Sequence, residues 1–103
     1  MGRAVTFKGA NDLPDCSGMV RFGASINVKM KHPITGTPTG VSRQFDFNTP
    51  HRALALKCGF HAAAITTGSL KVKVNGRGCG RMFDSVGPGC TFVAQGHPKV
   101  FAG

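Results

Sequence analysis

The sequence predicts an all-β protein. Fifteen glycines and six prolines in 103 residues interrupt the chain too often for long helices. The stretches between them are short and rich in Val, Phe and Thr, residues that favour strands. In residues 70–74 apolar side chains alternate with lysines, the pattern of a strand with one solvent-facing side. We therefore expect short strands joined by tight turns, within a single domain that covers residues 1–103.

The charge balance is strongly basic. Thirteen lysines and arginines against four acidic residues, all aspartates, give a net charge of +9. Such a charge attracts nucleic acid, anionic membranes or acidic protein surfaces. The basic residues are spread along the chain and match no zinc-finger, RNA-recognition or helix-turn-helix pattern. No nucleic acid is therefore expected as the main partner, and a small zinc-stabilised basic nucleic-acid-binding module remains the alternative function.

The sequence also predicts where the chain is made. It has no apolar run of about 18 residues, and its first residues lack the apolar core of a signal peptide. We expect the chain to start in a cytoplasm. In that reducing compartment its four cysteines are expected to be metal ligands or buried thiols rather than disulfides.

Internal repeats organise the chain. Three stretches begin with glycine and continue in a strand-like pattern, at residues 23–30, 68–74 and 96–101. Two of them are followed by matching tetrapeptides, Arg-Gln-Phe-Asp at 43–46 and Arg-Met-Phe-Asp at 81–84. Asn75-Gly76 predicts a tight hairpin that pairs residues 70–74 with residues near 78–83, and a longer turn is expected at 31–39. The repeated aspartates, Asp46 and Asp84, are expected to cap turns with their side chains.

The repeats also predict a metal site. A cysteine or histidine stands about seven residues before each initial glycine, namely Cys16, His61 and Cys90. One ligand from each of three repeats is the pattern of a pseudo-threefold site. Zinc binds thiolate and imidazole in tetrahedral geometry, and a closed structural site adds on the order of 10 kcal/mol of folding free energy in small systems. Iron is the second choice, since His and Cys also suit it.

A fourth ligand is expected from the insertion between Asp46 and His61. The candidates are His51 and Cys58, and Cys58 forms a Cys-x-x-His spacing with His61, which is common in chelating sites. The sequence leaves this choice open. Cys79 is expected to be a small buried apolar residue, and the remaining histidines, His32 and His97, to lie at the surface.

The chain resembles the PAAR-repeat family. The similarity rests on Gly68-Ser-Leu-Lys-Val72, on Asn75-Gly76, on Arg81-Met-Phe-Asp84 and on a final Val100-Phe101-Ala-Gly103. It departs from the family where Arg-x-Phe-Asp replaces Arg-x-Gly-Asp, where residues 78–81 read Gly-Cys-Gly-Arg instead of Pro-Ala-Ala-Arg, and where Cys16 replaces a histidine.

The resemblance implies a short pseudo-threefold cone of β-hairpin repeats with a metal, typically zinc, at its apex. Its base is expected to seat on a trimeric β-helical spike of a contractile phage tail or a type VI secretion machine, and its point to meet the target cell envelope transiently. The family's His-rich ligand sets favour His51. The expected role is mechanical, as a virion tail, baseplate or secretion-spike tip assembled in the cytoplasm, without cargo, without catalysis and without a small-molecule substrate. A small metalloenzyme with an open coordination position is a further alternative.

Overall fold

The fold is all-β in every part of the chain that is described. The computed structural model describes residues 2–13, 18–53, 59–87 and 90–103, with the backbone alone at 52–53 and 59–61. Within these residues the regular elements are strands of two or three residues, which confirms the predicted class. The strands are β1 Arg3–Ala4, β2 Lys29–Lys31, β3 Pro38–Gly40, β4 His51–Ala53, β5 Gly59–His61, β6 Ala64–Ile65, β7 Lys73–Val74, β8 Arg77–Gly78, β9 Ser85–Gly87, β10 Thr91–Phe92 and β11 Phe101–Ala102. The described residues include no helix long and apolar enough to cross a membrane.

The strands form small antiparallel sheets. Four are two-stranded, β1–β11, β2–β3, β4–β5 and β7–β8, and the fifth has the order β10–β9–β6. The predicted hairpin at Asn75-Gly76 is confirmed, because both residues have positive φ, at 53° and 78°, between β7 and β8. The predicted strand over residues 70–74 was too long. Leu70 lies outside β7 and is 89% exposed, since the chain there forms a turn that no second strand covers.

Three chain segments meet in the interior and form a closed ring. We call residues 5–12, 41–48 and 79–86 the core segments. Their second residues are joined by three backbone hydrogen bonds, from Thr6 N to Gly80 O at 3.0 Å, from Gly80 N to Ser42 O at 2.9 Å and from Ser42 N to Thr6 O at 3.1 Å. Each residue donates to one neighbour and accepts from the other, so no end of the ring is left unpaired.

The pairing around the ring repeats three times. In each case the first residue of one core segment bridges the third residue of another, as Val5–Arg81, Val41–Phe7 and Cys79–Arg43. The turn that follows is also repeated, with bonds from Ala10 N to Phe7 O, Asp46 N to Arg43 O and Asp84 N to Arg81 O at 3.0 to 3.1 Å. The core segments therefore share one local conformation and one mode of contact.

Space at the ring explains the glycine in one core segment. A Cβ on Gly80 would lie 2.7 Å from Ser42 O and 2.9 Å from the Cδ1 atom of Ile65, both far inside normal contact distance. The corresponding residues, Thr6 and Ser42, are small and fully buried. Three backbones approach here more closely than larger side chains would permit.

A turn and an antiparallel strand pair lie beside the start of each core segment. We call residues 25–28, 69–72 and 97–100 the end turns. Each end turn brackets the first residue of a core segment, with bonds from Ser25 N to Val41 O and Val41 N to Val28 O, from Ser69 N to Cys79 O and Cys79 N to Val72 O, and from His97 N to Val5 O and Val5 N to Val100 O. The strand pairs that follow are the hairpins β2–β3 and β7–β8 and the pair β11–β1. The third pair thus joins the last strand of the chain to the first.

These contacts correct two parts of the sequence interpretation. The glycines Gly68 and Gly96 precede Ser69 and His97 in the end turns, but the residue that precedes Ser25 is Ala24, so aligning the repeats on Gly23 was wrong by one position. The sequence comparison also found two copies of the tetrapeptide. The structure adds a third at residues 7–10, where only the backbone conformation is shared.

The apolar core has two parts. One lies between the hairpins and the ring and contains Val5, Val41, Val74, Cys79 and Ala102. The other contains Ala63, Ile65, Val86 and Val93, with Cys90 packed against it. The core segments connect the two parts, because each begins in the first and runs past the second.

Candidate metal centre

Strand register brings two candidate ligands to opposite positions. β4 and β5 are antiparallel, and the Cα partners at their ends are His51 and His61. Opposite residues of such a pair lie about 5 Å apart, so both histidines occupy the same short stretch of backbone. For His61 the structure describes the backbone only.

A third candidate ligand contacts the first. The Nε2 atom of His51 lies 3.2 Å from the Sγ atom of Cys90, which follows β9. His51 is 1% exposed and Cys90 is half-buried. The sequence separation is 39 residues, and the contact is made only by the tertiary fold.

The other ring nitrogen of His51 is held by the backbone. Nδ1 lies 2.9 Å from the carbonyl oxygen of Thr49, and because a carbonyl can only accept, Nδ1 carries the proton. This arrangement directs the Nε2 atom toward Cys90. Metal-binding histidines commonly have their second nitrogen fixed in the same way.

The pair fits a metal in both chemistry and spacing. Zinc–nitrogen bonds of about 2.0 Å and zinc–sulfur bonds of about 2.3 Å at a tetrahedral angle place N and S roughly 3.5 Å apart. The observed 3.2 Å is close to that separation. Among the described side chains no group of three His, Cys, Asp or Glu converges.

Two predicted ligands, Cys16 and Cys58, lie outside the described residues. The role of Cys58 as a possible fourth ligand therefore stays a prediction. For His51 the structure provides a contact with Cys90 and a register opposite His61.

A buried ion pair lies close to this centre. Arg21 Nη2 is 2.7 Å from Asp12 Oδ2, and neither side chain is exposed to solvent. Burial raises the pKa of Asp12, against the opposing effects of Arg21 and a 3.0 Å hydrogen bond from Asn48, and burial lowers the pKa of Arg21. Both directions show that removal from water outweighs the attraction between the two charges.

The repeated aspartates have a structural role, as predicted. Asp46 Oδ2 accepts from the backbone N of Arg43 at 2.8 Å, and Asp84 Oδ2 accepts from that of Arg81 at 2.7 Å. Each aspartate also binds the side chain of the same arginine. These contacts cap the two turns and explain the Arg-x-Phe-Asp pattern without catalysis.

The remaining histidines and Cys79 occupy structural positions. Cys79 is 2% exposed, and burial raises the pKa of its thiol to about 11. His32 Nδ1 accepts from the backbone N of Ile34 at 3.1 Å, and His97 Nδ1 accepts from that of Lys99 at 3.1 Å. The two histidine rings thus act as turn caps.

No protein-family model matches the sequence, and no curated protein matches it either. The argument about function therefore depends on the geometry described above. Sequence analysis did not identify Asp12 or Arg21 as important, and it interpreted the end turns as the beginnings of strands. The end turns could have been found from the sequence by aligning the repeats on Ser25, Ser69 and His97 instead of on glycine.

Proposed function

We propose that this chain is the tip of a trimeric spike in a contractile injection machine, either a phage tail or a type VI secretion system. The observation that carries the proposal is the ring of hydrogen bonds between Thr6, Ser42 and Gly80, with its three repeated pairings. A single chain can match the end of a symmetric trimer only if it offers three similar surfaces. The repeated core segments and end turns supply such surfaces.

In this proposal the chain forms a short cone with its base at the end turns and its apex at the His51–Cys90 contact. Each core segment runs between these two ends, since Val41 contacts an end turn and Asn48 is three residues from His51. A narrow end has little room for an apolar core, so a metal crosslink would stabilise it. The role is mechanical, because contraction force is concentrated on a small area of the target envelope.

The metal proposed for the apex is zinc, held by Cys16, His61 and Cys90 with His51 as the fourth ligand. It would supply a crosslink between distant parts of the chain. Thr49 would fix the orientation of the His51 ring through Nδ1.

Metal analysis of purified protein tests the site. We expect one zinc per chain in the wild type, and loss of zinc with a lower thermal midpoint in His51→Ala and Cys90→Ser. The matched controls are His32→Ala and Cys79→Val, which should keep the metal. Cys16→Ser and His61→Ala are expected to lose it. A folded wild type with no metal in any preparation, or equal metal content in His51→Ala and His32→Ala, would contradict the zinc proposal.

Binding stoichiometry tests the function itself. Native mass spectrometry of the chain mixed with the trimeric β-helical spike protein of the same machine should show one copy of the chain per trimer. Three copies per trimer, or no complex at low ionic strength, would show that the threefold arrangement serves another purpose.

A further inference from the structure

In the described part of the chain, five arginines share three aspartates. In the described residues, Asp46 binds Arg43 and Arg77, and Asp84 binds Arg81 and Arg3, at 2.8 to 3.2 Å. Asp12 binds Arg21 at 2.7 Å. The described lysines, by contrast, form no ion pair. The surface charge that remains is therefore carried mainly by lysine.

These lysines are concentrated beside the end turns. Five of the six described lysines lie in the end turns or in the strands that follow them, and the sixth, Lys8, lines a surface cavity together with Ile26 and Lys29. The five are Lys29, Lys31, Lys71, Lys73 and Lys99, and all are exposed. No acidic residue occurs in residues 25–40, 69–78 or 97–103. The sequence showed these lysines as scattered, whereas the fold gathers them at one level of the molecule.

Each end turn also presents an apolar side chain to solvent. Ile26 is 90% exposed, Leu70 is 89% exposed and Pro98 is exposed, and these residues directly follow Ser25, Ser69 and His97. Because the end turns make equivalent hydrogen bonds to the three core segments, the three side chains occupy equivalent positions. We call Ile26, Leu70 and Pro98 the apolar triad.

The apolar triad has charged neighbours on two of its three sides. Lys71 follows Leu70, Lys99 follows Pro98, and Asn27 follows Ile26. Apolar groups with lysines beside them are complementary to a partner surface that has an apolar centre and carboxylates at its rim. The same surface would be repelled by a basic partner.

We infer that the end turns form the docking surface for the end of a protein trimer whose rim is acidic, with the apolar triad contacting the three partner chains and the lysines facing their carboxylates. This inference rests on the proposed function and adds the chemistry of the partner. It assigns different kinetic roles to the lysines and to the apolar triad. The lysines accelerate association by long-range attraction, and the apolar triad slows dissociation by leaving water.

Surface-plasmon kinetics with the same trimeric spike protein separate these roles. We expect Lys71→Glu with Lys99→Glu to lower the association rate on the order of tenfold at low ionic strength, with little change in dissociation. Added salt should slow association of the wild type toward the variant's rate, because exposed charges are screened. The charge control is Asn11→Asp, which changes an exposed residue near the end of a core segment opposite the end turns and should behave as the wild type.

The apolar triad has its own matched pair. Leu70→Ser should raise the dissociation rate about tenfold, because the variant no longer removes a leucine side chain from water on binding. Leu13→Ser changes a leucine that is 47% exposed just beyond the opposite end of a core segment and should leave the kinetics unchanged.

The outcomes distinguish this inference from the function on which it rests. A wild-type chain that forms no complex with the spike contradicts the proposed function. A one-to-one complex with the trimer whose rates are unaffected by the lysine and Leu70 substitutions overturns the docking surface alone. Loss of binding to a short DNA duplex or to phosphatidylglycerol vesicles in the lysine variant, with unchanged binding to the spike, would also overturn it and would assign the lysines to a different anionic partner.

Discussion

At the scale of single residues, burial decides what each thiol does. Cys79 occupies the position that valine holds in the other two core segments, at Val5 and Val41, and all three are buried. Its thiol faces the apolar core, where the charged form is disfavoured first by burial and then by the nearby Asp84 carboxylate. Cys90 instead lies against His51 and can act as a ligand. The same residue type thus has two chemistries within one small domain.

Replacement of Cys79 by valine is the simplest test of that difference. We expect Cys79→Val to change the free energy of unfolding by no more than about 1 kcal/mol, since valine already fills the two corresponding positions. Urea unfolding followed by circular dichroism measures this. A loss of several kcal/mol would show that the thiol makes a contact that valine cannot replace.

Stability at alkaline pH gives a second test of the same thiol. Its folded pKa of about 11 is above the ordinary value of 9.0, so the folded state keeps a proton that the unfolded chain releases. The wild type should therefore lose stability relative to Cys79→Val as the pH rises from about 9 toward 11. Parallel pH profiles of the two proteins that do not diverge in this range would contradict the assignment.

At the scale of elements, the turns inside the core segments carry backbone strain. Phe45 and Phe83 have φ values of 74° and 71°, and the corresponding residue of the third core segment is Gly9 with φ of 93°. This left-handed conformation is strained for a residue with a bulky side chain, whereas glycine adopts it readily. Both phenylalanines are more than half exposed, so core packing alone does not compensate for the strain.

A pair of substitutions at Phe83 measures the strain. At an ordinary position glycine is less stable than alanine by about 0.5 to 1 kcal/mol. At Phe83 we expect the reverse, with Phe83→Gly more stable than Phe83→Ala by about 1 kcal/mol, because alanine retains a Cβ. Thermal or urea unfolding of the two variants provides the comparison. The ordinary order would mean that the turn relaxes out of the left-handed region.

At the scale of the whole molecule, the three core segments have the same backbone conformation but bury different side chains. The buried ion pair of Asp12 and Arg21 has mostly apolar counterparts elsewhere: Val86 and the polar Asn48 match Asp12, and both Ile65 and Val93 match Arg21. Two atoms of the pair, Asp12 Oδ1 and Arg21 Nε, find no hydrogen-bond partner among the described residues. The pair therefore incurs a desolvation cost that the matching apolar positions avoid.

A double-mutant cycle tests this comparison. Arg21→Ile alone leaves a buried carboxylate without its partner and should cost about 3 to 5 kcal/mol, and Asp12→Val alone should cost a similar amount. The double variant should be more stable than either single variant, since it removes both charges together. Urea unfolding of the four proteins measures the coupling. Additive losses would show that the pair is favourable in its own right.

The class of the fold, the hairpin at Asn75-Gly76 and the caps at Asp46 and Asp84 could be predicted from the sequence. These follow from neighbouring residues, because glycine, asparagine and aspartate set local backbone geometry. The burial of Cys79 was predicted from its residue type. Cys90 was identified as a ligand candidate from its position before a repeat, and His51 from its place in the insertion between Asp46 and His61.

Which distant residues meet could not be predicted from the sequence, because it depends on the closed tertiary fold. The ring that joins Thr6, Ser42 and Gly80 depends on hydrogen bonds between backbone groups, which any residue type can make. Its third core segment consequently has no tetrapeptide for a sequence comparison to find. The His51–Cys90 contact and the grouping of the lysines have the same origin, since both depend on chain segments that are distant in sequence and become neighbours only when the ring closes.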